Sequence, residues 1–125
     1  MRKLFKNLNS NEIICDTLES VLKLNTNKII LLEIKDPFID IDNLVKTLIK
    51  YSDKNIYVMS FYNTVIDKLN IKNKTYKVGI LNYVLNTTEK HFKYDFICIL
   101  RPLLNDKIIE FVKKNNKELF VYGNY

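Results

Sequence analysis

The sequence predicts an α/β protein built as a parallel (β/α) repeat of about five strands. Three observations carry that reading. Short apolar runs alternate with segments of helical period. The stretches between successive runs are long enough to hold a helix. The run Ile29 to Leu32 has no polar alternation. A strand covered on both faces loses the apolar/polar alternation of a half-exposed one, and strands joined through helices run parallel with right-handed crossovers.

The chain opens with a polar, basic lead-in over Met1 to Ile14, weakly ordered or a partial helical turn. Asp16-Thr-Leu-Glu19 then resembles a capping box, with Asp16 as the cap and Glu19 reaching back. Leu18, Val21 and Leu22 give the short helix after it one apolar face. A strand follows over Lys28 to Ile34, between turn-prone Asn25, Asn27 and Pro37. Period-two geometry places Leu31, Glu33 and Lys35 on one face and Leu32, Ile34 and Asp36 on the other. A carboxylate and an ammonium group thus leave one side of the strand at its C-terminal end, where β/α proteins build their sites.

Asp40 to Tyr51 is the next helix: Ile41, Leu44, Val45, Leu48 and Ile49 recur at three and four, and Asp40 or Asp42 can cap it. A strand over Ile56 to Phe61, a helix over Asn63 to Leu69 and a strand over Val78 to Leu81 come next. A weaker helix is expected over Thr87 to Phe92, then a strand over Phe96 to Leu100 that stops at Arg101-Pro102. A helix over Asp106 to Asn116 and a last strand over Leu119 to Tyr122 complete the alternation. Two closures fit this order: an open doubly wound sheet, or a piece of a (β/α)8 barrel. The only glycines, Gly79 and Gly123, do not open a helix after a strand. Dinucleotide and P-loop chemistry therefore lacks its main requirement.

A chain of 125 residues holds a single domain. Its net charge of +6 is spread along the sequence and reads as a solvated surface. A nucleic-acid interface would want a basic stripe with interleaved aromatics, and most Tyr and Phe here fall at apolar-periodic positions. Cys15 and Cys98 have no metal or CxxC spacing, and Cys98 lies in a strand run as a buried thiol. No stretch is long and apolar enough to span a membrane, and no signal-peptide pattern opens the chain, so a cytoplasmic location is expected.

Several motifs, in collinear order, resemble the C-terminal part of the glycerophosphodiester phosphodiesterase family. Thr17-Leu-Glu-Ser-Val-Leu22 is similar to that family's "TLEEVL" helix, Leu32-Glu-Ile-Lys35 to its "E-I-K" strand, and Met59-Ser-Phe-Tyr-Asn63 to its "S-F-N" strand. Lys77-Val-Gly-Ile-Leu81, Phe96-Ile-Cys-Ile99 and Leu119-Phe-Val-Tyr-Gly-Asn124 resemble the three strands that follow. The resemblance implies a partial TIM-type (β/α)8 barrel of about five strands. It implies a single truncated domain over 1–125, and phosphodiester hydrolysis on deacylated phospholipids with a divalent cation, Mg²⁺ or Ca²⁺. It makes Glu33 a metal ligand and Lys35 the lysine beside the substrate phosphate, and places Ser60, Phe61 and Tyr122 at strand tips near the site.

The family's "H-R-G", "E-N-T", "E-x-D" and "H-D" motifs are absent, and the one histidine, His91, matches no catalytic position. No catalytic residue is carried over. A single carboxylate holds Mg²⁺ or Ca²⁺ poorly, and the acid–base pair that would contribute about 10²–10⁴-fold is missing. The isolated chain is therefore expected to be inactive. Five strands of a barrel would leave two unpaired edges and the inward faces of Leu31, Val58 and Ile97 partly uncovered. That implies a homo-oligomer or a separate N-terminal chain completing the barrel around a glycerophosphodiester. The alternatives are a non-catalytic, partner-binding half-barrel and, behind it, a basic nucleic-acid-binding domain.

Overall fold

The computed structural model of the protein describes residues 17–85 and 92–123. Their order is α1 (Leu18–Leu22), β1 (Ile29–Ile34), α2 (Ile41–Lys50), β2 (Asn55–Ser60), α3 (Asn63–Leu69), β3 (Lys77–Leu81), β4 (Phe96–Leu100), a 3-10 turn (Arg101–Leu103), α4 (Asp106–Lys114) and β5 (Glu118–Tyr122). The lead-in, residues 87–91 of the weak helix, and His91 lie outside the described residues; Phe92 is described and is not helical.

Local chemistry sets most boundaries. Helix α1 is capped by Thr17, whose Oγ1 accepts from the Ser20 N–H at 3.2 Å. This corrects the expected cap, which is Thr17; Asp16, toward which Glu19 is expected to reach, lies outside the described residues. Glu19 pairs with Lys50 at 3.4 Å and accepts from the Tyr51 hydroxyl at 3.5 Å, which ties α1 to the end of α2. Asp40, not Asp42, caps α2 by accepting from the Asn43 N–H at 3.1 Å. Asn73 and Asn116, both with left-handed φ, turn the chain into β3 and β5.

The five strands form one parallel sheet in the order β1-β2-β3-β4-β5. A doubly wound sheet needs a reversal of strand order; here there is none. Successive right-handed crossovers in one direction put every helix on one face, and the sheet curls into a half-barrel. On the convex face, Leu32, Val58, Val78, Ile97 and Ile99 pack against Leu48, Ile66, Ile108 and Val112 from the helices. Fully burying each such aliphatic side chain contributes about 1.5–3 kcal/mol.

The concave face has its own apolar layer of Tyr57, Met59, Leu81, Phe96 and Cys98, with Leu31 and Phe120 against it. This corrects the expected inward set. Register pairs Leu31 with Tyr57 and Leu32 with Val58, and Ile80 with Ile97. Paired residues share a face, so Val58 and Ile97 lie under the helices. The rings of Tyr57, Phe96 and Phe120 meet mutually, with centroids 5.3 to 5.4 Å apart. Such tilted and edge-on pairs each contribute about 0.5–1.5 kcal/mol beyond area burial. The inside of the half-barrel is thus filled by side chains.

Candidate functional site

The C-terminal ends of the strands hold the residues singled out by sequence. Glu33 and Lys35 emerge on one side of β1 and its continuation, with Lys35 Nζ 3.9 Å from Glu33 Oε2. The Glu33 side chain is 16% exposed and that of Lys35 is 49% exposed, so the ammonium faces solvent while the carboxylate sits deeper in the concavity. Asp36 is occupied by its own loop: Oδ1 accepts from the Phe38 N–H at 2.9 Å. That turn leaves Phe38 90% exposed; Phe61 and Tyr62, just after β2, are exposed as well.

The other strand-tip residues have structural roles. Ser60 points to the convex side and is fully buried; its hydroxyl donates to the Ile34 carbonyl at 2.8 Å and accepts from the Tyr62 N–H at 3.0 Å. It bonds the tips of β1 and β2 together and does not face the concavity. The Tyr122 hydroxyl donates to Asn82 Oδ1 at 2.9 Å, and the same oxygen accepts from the Leu100 N–H at 2.8 Å. Asn82, at a left-handed φ of 50°, thereby fastens the tips of β3, β4 and β5 to one another.

Cys98 lies on the concave layer, 2% exposed. Burial, and after it the negative charge of Glu33, push its thiol up to about 12. It stays protonated at neutral pH and is no nucleophile.

The donor set does not fit a divalent cation. Mg²⁺ and Ca²⁺ need several oxygen ligands, and among the described residues no group of three or more His, Cys, Asp or Glu side chains converges. Glu33 is accompanied by an ammonium, which opposes a cation.

Sequence reasoning missed a second polar cluster, at the N-terminal end of the concave face. The Tyr57 hydroxyl donates to both Glu118 carboxylate oxygens at 2.8 Å, and Lys77 Nζ lies 2.5 Å from Glu118 Oε1 and 5.2 Å from the Tyr57 ring centroid. Burial works against the charge on Glu118, but the hydrogen bonds from Lys77 and Tyr57 outweigh it and hold the carboxyl below its ordinary range. The Glu118 hydrogen bond in turn raises Lys77. Burial first, and then Glu118, raise Tyr57. The available signal was a tyrosine within an apolar strand and a charged residue opening each of two others. Only register shows that these meet.

No protein-family model, curated protein or solved structure matches this chain. Fold and site together define a class: a parallel β/α half-barrel with a filled concavity and one Glu–Lys pair at its C-terminal mouth.

Proposed function

We propose that this chain is a phosphodiesterase-like half-barrel that is non-catalytic alone and works by joining a second chain along its open edges. The carrying observation is the sheet itself. Among the described residues, the outer edges of β1 and β5 have no paired strand, and unpaired edges are templates for another chain. The second chain is either another copy or a separate N-terminal half. The motif likeness around Glu33 and Lys35 supports the phosphodiester class. The half-exposed Lys35 ammonium is the group that would receive a phosphate oxygen, with Glu33 orienting it. Any cation would need ligands from the second chain. Among the described residues no helix is long and apolar enough to cross a membrane, and the proposed setting is the cytoplasm.

The test is hydrolysis of glycerophosphocholine and of a generic phosphodiester with Mg²⁺ or Ca²⁺, beside Glu33→Gln, with sedimentation velocity on the same samples. We expect no turnover and a concentration-dependent assembly. Turnover abolished by Glu33→Gln would overturn the non-catalytic reading. A strict monomer, with or without a chain carrying the two missing histidines, would overturn the joining role.

A further inference from the structure

The lysines that look dispersed in the sequence are collected by the fold. Every helix runs back along the sheet, so helix C-termini and the segments leading into the strands all lie at the N-terminal end of the half-barrel. The segment between α1 and β1 brings Lys23 and Lys28 to that end, and the segment around the end of α2 brings Lys50 and Lys54. Lys72 and Lys74 precede β3, and Lys113, Lys114 and Lys117 precede β5. Contacts across this end confirm the gathering: Lys54 Nζ donates to the Leu24 carbonyl at 2.8 Å, and Lys93 pairs with Asp67 at 3.1 Å.

Helix dipoles explain part of this. Lys50, Lys68, Lys113 and Lys114 sit in last helical turns, where the C-terminal dipole favours a cation. They do not explain Lys28, Lys72 or Lys117, which lie in loops. Ion pairing neutralises Lys50, Lys74, Lys77 and Lys93; Lys28, Lys72 and Lys113 are exposed and, among the described residues, carry no ion pair. The same pole holds the acids Glu19, Asp53, Asp67, Asp95 and Glu118, which its lysines outnumber; at the opposite end the acids Glu33, Asp36, Asp40, Asp42 and Asp106 outnumber the cations Lys35, Arg101 and Lys107. The net positive charge is therefore concentrated on one pole.

We infer that this basic pole docks on an anionic phospholipid surface. The inference goes beyond the proposed function, since it uses the end of the half-barrel away from Glu33 and Lys35. Three features favour a lipid surface over nucleic acid. The cations of the pole are lysines, and the described arginine, Arg101, lies at the other end. Lysine acts as a compact, strongly hydrated point charge, whereas arginine provides the bidentate fork for bases and phosphates. The exposed aromatic rings, Phe38, Phe61, Tyr62 and Tyr122, all sit at the opposite pole; the rings that meet lysines at the basic pole, Tyr51, Tyr57, Phe92 and Tyr94, are buried or half-buried and already lie under an ammonium, so none forms an exposed stacking platform. The large apolar side chains exposed among the lysines are aliphatic: Leu24, Ile29 and Ile71, at 40%, 44% and 42%. Aliphatic side chains set among lysines suit the headgroup boundary of an anionic bilayer.

The test is co-sedimentation of the full chain with phosphatidylcholine vesicles and with vesicles containing about one-third phosphatidylglycerol. Binding is expected only to the anionic vesicles and falls as ionic strength passes ~0.1 M. Lys28→Glu/Lys72→Glu, at two loop positions, is expected to weaken it roughly 30-fold or more. Lys46→Glu/Lys107→Glu makes the same change in net charge away from the pole and is expected to weaken it far less. Should either glutamate pair lose the wild-type circular dichroism spectrum, the glutamine pair replaces it. Equal losses from the two pairs, or no binding to anionic vesicles, would overturn the proposal. Tighter binding to a duplex oligonucleotide at matched phosphate concentration would also overturn it, in favour of nucleic acid.

Discussion

The ring of Phe96 lies directly across Gly79 of the neighbouring strand: a methyl group added at Gly79 would overlap the ring, coming within 2.6 Å of its Cγ. Phe96 is fully buried and held edge-on by Phe120 and at a tilt by Tyr57. It has nowhere to retreat. The missing side chain on β3 is what lets the aromatic layer fill the concavity.

Gly79→Ala is therefore expected to destabilise the chain by about 1–3 kcal/mol through overpacking. Urea denaturation of Gly79→Ala, Phe96→Leu and the double variant checks this. The smaller, flexible leucine should accommodate the methyl, so the double variant should lose less than the sum of the single losses. Strict additivity would mean that the two residues do not contact as described.

Stability should fall in acid in a way that depends on Glu118. Its folded carboxyl titrates below the ordinary range, near 4.3 when unfolded. The stabilisation it contributes is thus present above the unfolded value and lost as pH falls through the folded one. Glu118 is well exposed, so screening limits the effect to about 0.5–1 kcal/mol. Denaturation midpoints of wild type and Glu118→Gln should differ at pH 6 and converge toward pH 3. Lys77 is raised, so its contribution is present below its unfolded value near 10.4 and lost as pH climbs through the folded one.

Cys98 should resist alkylation. In a Cys15→Ser background it is the sole remaining thiol. Iodoacetamide at pH 8 should label it only in denaturant, because burial both shields it and pushes its thiol up to about 12. Glu33→Gln removes the lesser of the two causes and should leave the native chain unlabelled. Rapid native labelling would show that the concave layer opens.

Asn82→Ala should cost about 2 kcal/mol. It removes the acceptor for both the Leu100 N–H and the Tyr122 hydroxyl, and it forces alanine into a left-handed φ. Asn82→Gly keeps the φ and loses only the hydrogen bonds, so it should fall between the two. Thermal melts of the three proteins separate backbone strain from bonding. An Asn82→Gly as damaged as Asn82→Ala would assign the whole effect to the hydrogen bonds.

The elements themselves were legible because their signals are local. The three-and-four spacing of Leu44 and Leu48, the Asp40 cap and the apolar run of β4 are each read within a few residues. The α1 cap shifted by one position because Thr17 and Asp16 are both good acceptors next to each other, and spacing alone does not choose between them. The Glu33–Lys35 pair was legible for the same reason: two residues apart on one strand, they share a face whatever the strand pairs with. Ser60 ends β2 as expected, but the face it takes was not legible, because its strand's parity is fixed by pairing with β1, not by its own composition.

The sequence by itself determined the alternation of strands and helices, and with it a parallel sheet. Hydrophobic period and turn chemistry act over one or two turns of chain. Only the tertiary structure decided which residues face the concavity, which charges meet and where the basic surface lies. Tyr57 and Glu118 are 61 residues apart, and Lys77 and Glu118 are 41 apart. Their contact follows from strand register, and register depends on how separate strands align across the whole sheet. The lysines form one pole for the same reason: successive right-handed crossovers return every helix C-terminus to the same end of the sheet, whatever the spacing between lysines in the sequence.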